Sequence, residues 1–230
     1  MKTIGLIGGM SWESTQTYYR DINLGIKEKL GGLHSAKIIL NSLDFDMIEK
    51  LQAVEDWDAL GLILSQAGQS LDAAGADFIL ICTNTMHKVA ENVEQATALP
   101  LLHIADATGE ELIKQSIKTV GLLGTRFTME QDFYIKRLEK KFGITVLTPS
   151  RKERQKVHNV IYNELCLGQI NQASKEVYHS IINQLSSRGA EGVILGCTEI
   201  GLLVKQEETK VKLFDTALIH AQSAVNRALS

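Results

Sequence analysis

Short runs of β-branched and other apolar residues alternate along the chain with longer stretches whose apolar positions recur every three to four residues. The runs are Ile4–Ile7, Lys37–Asn41, Phe78–Ile81, Leu101–Ile104, Val120–Leu123, Thr145–Leu147, Gly192–Leu195 and Lys212–Phe214, and their length and composition suit buried strands. The longer stretches predict helices over Trp12–Leu30, Asp56–Ala74, Met86–Glu94, Thr108–Gln115, Met129–Phe142, Arg154–Leu167, Asn171–Ser187 and Ala217–Leu229. In the first of them Tyr18, Ile22 and Ile26 form a core-facing stripe, whereas Glu13, like Glu94, reads as part of a solvated face. Ser11 stands where an N-cap belongs, and Thr128 with Gln131 three residues on reads as a capping box. Strands alternating with helices in this way predict an α/β fold with largely parallel sheets.

An internal repeat divides the pattern in two. Thr3–Gly9 (TIGLIGG) aligns without gaps with Thr119–Thr125 (TVGLLGT), a spacing of 116 (119 − 3). Gly75–Thr83 (GADFILICT) aligns with Gly189–Cys197 (GAEGVILGC), a spacing of 114 (189 − 75). Two matches far apart that share nearly one spacing predict two pseudo-symmetric lobes, each a largely parallel sheet flanked by helices. The expected division is residues 1–102 plus 211–230 for the first lobe and 103–210 for the second. Ligands of open parallel sheets sit beyond the carboxyl ends of the strands, so the active site is expected in an interlobe cleft, with Thr83 opposite Cys197.

Composition narrows the function. With 44% hydrophobic and 22% charged residues among 230, the chain resembles ordinary globular domains. Its formal charge of −3, with basic residues scattered apart from Arg151–Lys156, argues against a nucleic-acid partner. The apolar run that opens the chain is too short to span a bilayer and follows Met1-Lys2 without a signal-peptide layout, so a cytoplasmic protein without a membrane partner is expected. Three cysteines without CxxC spacing fit neither a disulfide framework nor a zinc knuckle, and the six histidines show no HxxxH or HxxEH spacing, so no metal is expected. Neither the GxGxxG nor the GxxxxGK[ST] signature of nucleotide sites is present.

The segments Gly8-Gly9-Met10, Cys82-Thr83-Asn84-Thr85-Met86-His87 and Gly196-Cys197-Thr198-Glu199-Ile200 together resemble the aspartate/glutamate racemase superfamily, and within it the aspartate racemase-like and broad-specificity amino-acid racemases. That resemblance spans essentially the whole chain. It implies an isomerase that needs no cofactor, a homodimer, and a two-base mechanism in which one residue removes the α-proton while another reprotonates the opposite face. The family's pair is normally two cysteines, yet here Thr83 stands before Asn-Thr and Cys82 lies one place earlier. Adjacent residues on extended backbone point to opposite sides, and the repeat pairs Thr83 with Cys197, so Thr83 is the expected partner of Cys197. An alcohol stays protonated where a cysteine can ionise, so the Thr83 side should be the slower base. Cys82 and Cys166 read as small buried hydrophobes.

By the same resemblance Asn84, Thr85 and Thr198 hold the substrate carboxylate, and Met10, Ser11, Gln52, Thr125 and Glu199 complete the substrate-binding set. Residues at the starts of helices present amide groups that suit an anion, which is compatible with capping. His87 and Glu199 flank the two bases and could tune a thiol or receive the substrate ammonium, while Asp215-Thr216 reads equally as a site segment or a helix cap. Acidic substrates call for an arginine, but none lies between Arg20 and Arg126, and the segment Asp44–Gln52 offers only Lys50 and neutral Gln52. Arg126, beside Thr125, is the remaining anchor. A small-molecule amino acid is thus the expected partner, with aspartate and glutamate or a broader range as substrates. A hydantoin racemase, a dicarboxylate isomerase or decarboxylase, and a non-catalytic amino-acid-binding protein are the alternatives.

Overall fold

In the computed structural model, which describes all 230 residues, the chain divides into two compact units, Met1–Ile104 with His220–Ser230 and Ala105–Ile219. The elements run β1 (Ile4–Gly8), α1 (Trp12–Leu30), β2 (Ile38–Ser42), α2 (Phe45–Ala53), α3 (Trp57–Ala73), β3 (Phe78–Ile81), α4 (Ala90–Ala96), α5 (Ile104–Lys114), β4 (Thr119–Gly124), α6 (Arg126–Glu130), α7 (Asp132–Phe142), β5 (Thr145–Leu147), α8 (Arg151–Asn163), α9 (Gln172–Ser187), β6 (Val193–Gly196), α10 (Ile200–Leu203), β7 (Leu213–Asp215) and α11 (Thr216–Leu229). A 3-10 turn over Thr85–Val89 precedes α4. No helix is long and apolar enough to cross a membrane.

The first unit holds a parallel sheet of order β2-β1-β3, and the second a parallel sheet of order β5-β4-β6-β7. In each, the strand that opens the repeat is central, so it is covered on both faces and reads as continuous apolar sequence. The repeat extends to register: Gly5 pairs with Ile79 in the first sheet and Gly121 with Val193 in the second, which are the same two positions displaced by 116 and 114. Close strand-to-strand approach in the second sheet requires glycine. A Cβ on Gly124 would stand 2.7 Å from the Gly196 carbonyl oxygen, and one on Gly196 would stand 2.8 Å from that of Leu123.

Helix α1 keeps its expected bounds, with Tyr18, Ile22 and Ile26 buried along one face. Several expectations change. Leu101–Ile104 is not a strand: it makes one parallel bridge, Ile79 to Leu101, and α5 begins at Ile104. The groups that would extend the ladder go to histidines instead, the Leu102 carbonyl to His220 Nε2 (2.7 Å) and the Ile104 N–H to His87 Nε2 (3.1 Å). Residues 211–219, expected in the first lobe, belong to the second unit, because β7 pairs with β6. Thr128 is not a cap; it lies inside α6, whose N-cap is Thr125, and the capping box is formed by Ser150 and Glu153 at α8. Glu13 is not on a solvated face, being 9% exposed.

Candidate active site

The two catalytic candidates occupy equivalent places in their own units. Thr83 lies just past β3 and Cys197 just past β6, each at the carboxyl end of the strand beside the central one. Cys82, whose N–H is tied to the Ile7 carbonyl (2.9 Å), is fully buried, and burial pushes its thiol far above the usual cysteine range. Thr83, one residue on, is half-buried.

In the first unit, one histidine is bonded to the backbone of the Thr83 loop. Because the Ile104 N–H donates to His87 Nε2, that nitrogen carries no proton, and Nδ1–H donates to the Thr83 carbonyl (2.8 Å). The buried ring thus fixes the Thr83 backbone and is committed at both nitrogens. The His103 ring lies 4.4 Å from His87 and the His220 ring 6.0 Å from it, centroid to centroid. His220 has the opposite tautomer: Nε2–H donates to the Leu102 carbonyl, so Nδ1 accepts the Tyr18 hydroxyl (3.0 Å). Burial lowers the His220 pKa to about 4. Sequence reasoning singled out His87 alone among these histidines.

At the end of β1, Gly9 has φ +86°, and a Cβ there would fall 2.1 Å from the Leu43 carbonyl oxygen, so only glycine fits the turn. Its N–H donates to Thr15 Oγ1 (2.8 Å), which ties the turn to α1. Met10 packs in the core with Ile7, Ile48 and Met86, and Ser11 caps α1 by accepting the Ser14 N–H (3.4 Å). Gln52, buried on α2, donates from Nε2 to Met86 Sδ (3.0 Å). Asn84 and Thr85 open the 3-10 turn and are buried. Lys50 is exposed and paired with Asp46 (2.6 Å), which leaves the residues after β2 without a buried cation.

In the second unit, the Cys197 thiol donates to Glu199 Oε2 (2.8 Å), and the same oxygen accepts the Thr198 hydroxyl (3.1 Å). Cys197 and Glu199 are both buried. Burial first, and then the Glu199 charge, hold the thiol well above the ordinary cysteine range, so at rest it is protonated. Thr125 caps α6 by accepting the Thr128 N–H (3.3 Å). Arg126 is exposed at the start of α6. Asp215 acts as a helix cap, its Oδ1 accepting from Ala217 (2.9 Å) and Leu218 (3.2 Å). No group of three or more His, Cys, Asp or Glu is disposed to hold a metal ion.

The chain is similar over essentially its whole length to known proteins. Over 229 residues the chain is 24% identical to the broad specificity amino-acid racemase RacX of Bacillus subtilis, covering 99% of this chain and 98% of the relative. A crystal structure of a candidate Asp/Glu racemase from Yersinia pestis is 55% identical, with a TM-score of 0.92 and full coverage of both chains. An aspartate racemase homologue from Pyrococcus horikoshii is 37% identical, with a TM-score of 0.83 and again full coverage of both. A sequence model of the Asp/Glu/Hydantoin racemase family matches residues 7–224, and the chain belongs to that family.

Proposed function

We propose that the protein is an amino-acid racemase that inverts the α-carbon by two-base proton transfer without a pyridoxal cofactor, with Thr83 and Cys197 acting on opposite faces of the substrate. The reading rests on one observation: at equivalent positions of a duplicated strand-end loop, one unit offers a hydroxyl and the other a thiol with an adjoining carboxylate. For abstraction by Cys197, the thiol proton moves to Glu199 and the sulfur takes the α-proton. The Thr83 hydroxyl then protonates the planar carbanion from its other side and recovers a proton from solvent, while Glu199 releases the proton it took to solvent. Backbone amides at Asn84-Thr85 and at Thr198 hold the carboxylate that carries the developing charge.

The two directions are unequal in this scheme. Glu199 adjoins the thiol, whereas the nearby imidazole of His87 is directed to the Thr83 carbonyl rather than to its hydroxyl. Abstraction by Thr83 is therefore the slow direction, although the equilibrium constant is unaffected. A broad substrate range is favoured over strict aspartate or glutamate use, since Lys50 is paired at the surface, Gln52 is neutral and Arg126, the remaining anchor, is exposed. The relative from Bacillus subtilis is itself described as broad in specificity.

The test is to incubate each enantiomer of a panel of acidic, neutral and hydroxylated amino acids in D₂O, following α-deuterium uptake and optical rotation together. Racemisation with uptake at unequal initial rates for the two enantiomers is expected. Binding without exchange would refute a catalytic role, and turnover confined to aspartate and glutamate would refute the broad range.

A further inference from the structure

The basic segment that stood out in an otherwise scattered charge pattern has a structural counterpart. The second unit carries a cleft of about 650 Å³, a volume usual for small-molecule sites, lined by Arg126 at the start of α6 and by Arg151, Lys152 and Lys156 on α8. None of these four cations is within ion-pair distance of a carboxylate. The one acid in the cleft, Glu130, is already held by Arg154 (2.7 Å), whose guanidinium also donates to the Pro149 carbonyl. Beside them Gln155 and Asn159 are bonded to each other (2.8 Å) and offer neutral donors on the same helix face.

The placement works against the stability of the isolated helix. Arg151 and Lys152 are the first two residues of α8, at the positive end of its dipole, where cations are unfavourable and an anion is favoured. His158, whose Nδ1 accepts the Arg126 N–H (3.3 Å), has its pKa lowered by partial burial and then by the Arg126 charge, so the local positive field is felt within the unit. A chain of net charge −3 that gathers four unpaired cations around one cleft breaks a local rule in the way functional sites do.

We propose that this cleft binds a small molecule bearing a phosphate or diphosphate group. A planar carboxylate is satisfied by one guanidinium, whereas a tetrahedral phosphate carries about −1.5 to −2 charges at neutral pH and presents three oxygens, which suits donors converging from two helices. The amino-acid substrate proposed above carries no such group, so the site is additional to the racemase reaction.

The test is isothermal titration of the full-length protein with pyrophosphate, inorganic phosphate and citrate at one ionic strength set with sodium chloride. It is repeated on Lys152→Gln/Lys156→Gln and on Arg151→Gln, with thermal melts to establish folding. Saturable 1:1 binding of pyrophosphate is expected, tighter than citrate, and weakened about tenfold in either variant from the loss of partly exposed charge-assisted contacts. Melts without ligand and racemisation rates in phosphate-free buffer should stay within twofold of the parent. Absence of saturable binding, equal affinity in folded variants, or citrate binding as tightly as pyrophosphate would each overturn the proposal. So would a rise in the amino-acid KM of the variants, which would make the cleft part of the substrate site. Calorimetry does not depend on turnover, so a failure of the racemase reading would not be mistaken for a failure of this one.

Discussion

His220 is buried, donates to one backbone carbonyl and accepts from one tyrosine, and its pKa is lowered to about 4 from the usual 6.5. A group whose folded pKa lies below its unfolded value binds more protons when unfolded, so stability rises with pH between the two values and is lost as pH falls through that window. Integrating the linkage for this one residue, going from pH 7 to pH 5 costs about 2 kcal/mol, since one pKa unit corresponds to about 1.4 kcal/mol. The perturbation is His220→Gln, which can keep a donor toward Leu102 and an acceptor toward Tyr18 but does not titrate. Trp12 and Trp57 both lie in the first unit, so tryptophan fluorescence during urea unfolding reports on the unit that contains His220. The neighbouring Tyr18, His87 and His103 are common to both proteins, and their contributions cancel in the difference. The parent should lose about 2 kcal/mol more than the variant between pH 7 and pH 5. A difference that stays flat to within about 0.5 kcal/mol over that range would refute the assignment of a neutral, buried His220.

Three other outcomes follow from the same coordinates. Thr83→Cys should speed the slow direction by about tenfold or more, because it supplies an ionisable base where an alcohol stood; polarimetric initial rates from each pure enantiomer read this directly. Glu199→Gln removes a charge that raises the Cys197 pKa, so the pH midpoint for alkylation of that thiol by iodoacetamide should move down while turnover falls; an upward move would contradict the hydrogen bond between them. Gly124→Ala places a methyl 2.7 Å from the Gly196 carbonyl oxygen and should cost about 1–3 kcal/mol in urea unfolding; a neutral result would mean that β4 and β6 separate easily.

What the sequence disclosed and what it withheld follow from the range of the forces involved. Strands β1, β3, β4 and β6 were legible because each is buried along nearly its whole length and so reads as continuous apolar sequence, and the glycines that flank them repeat at fixed spacing. The positions of Thr83 and Cys197 came with them, since a residue at a strand end is placed by the strand. Leu101–Ile104 has the same apolar content but became a single bridge and a helix start, because Leu102 and Ile104 are bonded by side chains from residues 220 and 87. Helix α2 escaped notice because it is short and buries only Ile48 and Gln52. Glu13 looked solvated because the first turn of a helix commonly carries an acid, and only the packing around α1 shows it buried.

Tyr18, His87, His103 and His220 form one polar cluster, yet no spacing in the chain connects them, and among the three histidines His87 alone drew attention, by standing next to a motif. Two of them act on the segment that leads out of the first unit, and His87 also holds the carbonyl of Thr83. The chemistry at a strand end is written locally, whereas the rings clustered near it come from α1, the 3-10 turn, the segment just before α5 and α11, and meet only on folding. A substitution at His87 should consequently disturb the placement of Thr83 without supplying or removing a proton in the reaction, and its effect on kcat should be partly rescued by a side chain that again offers a donor to the Thr83 carbonyl.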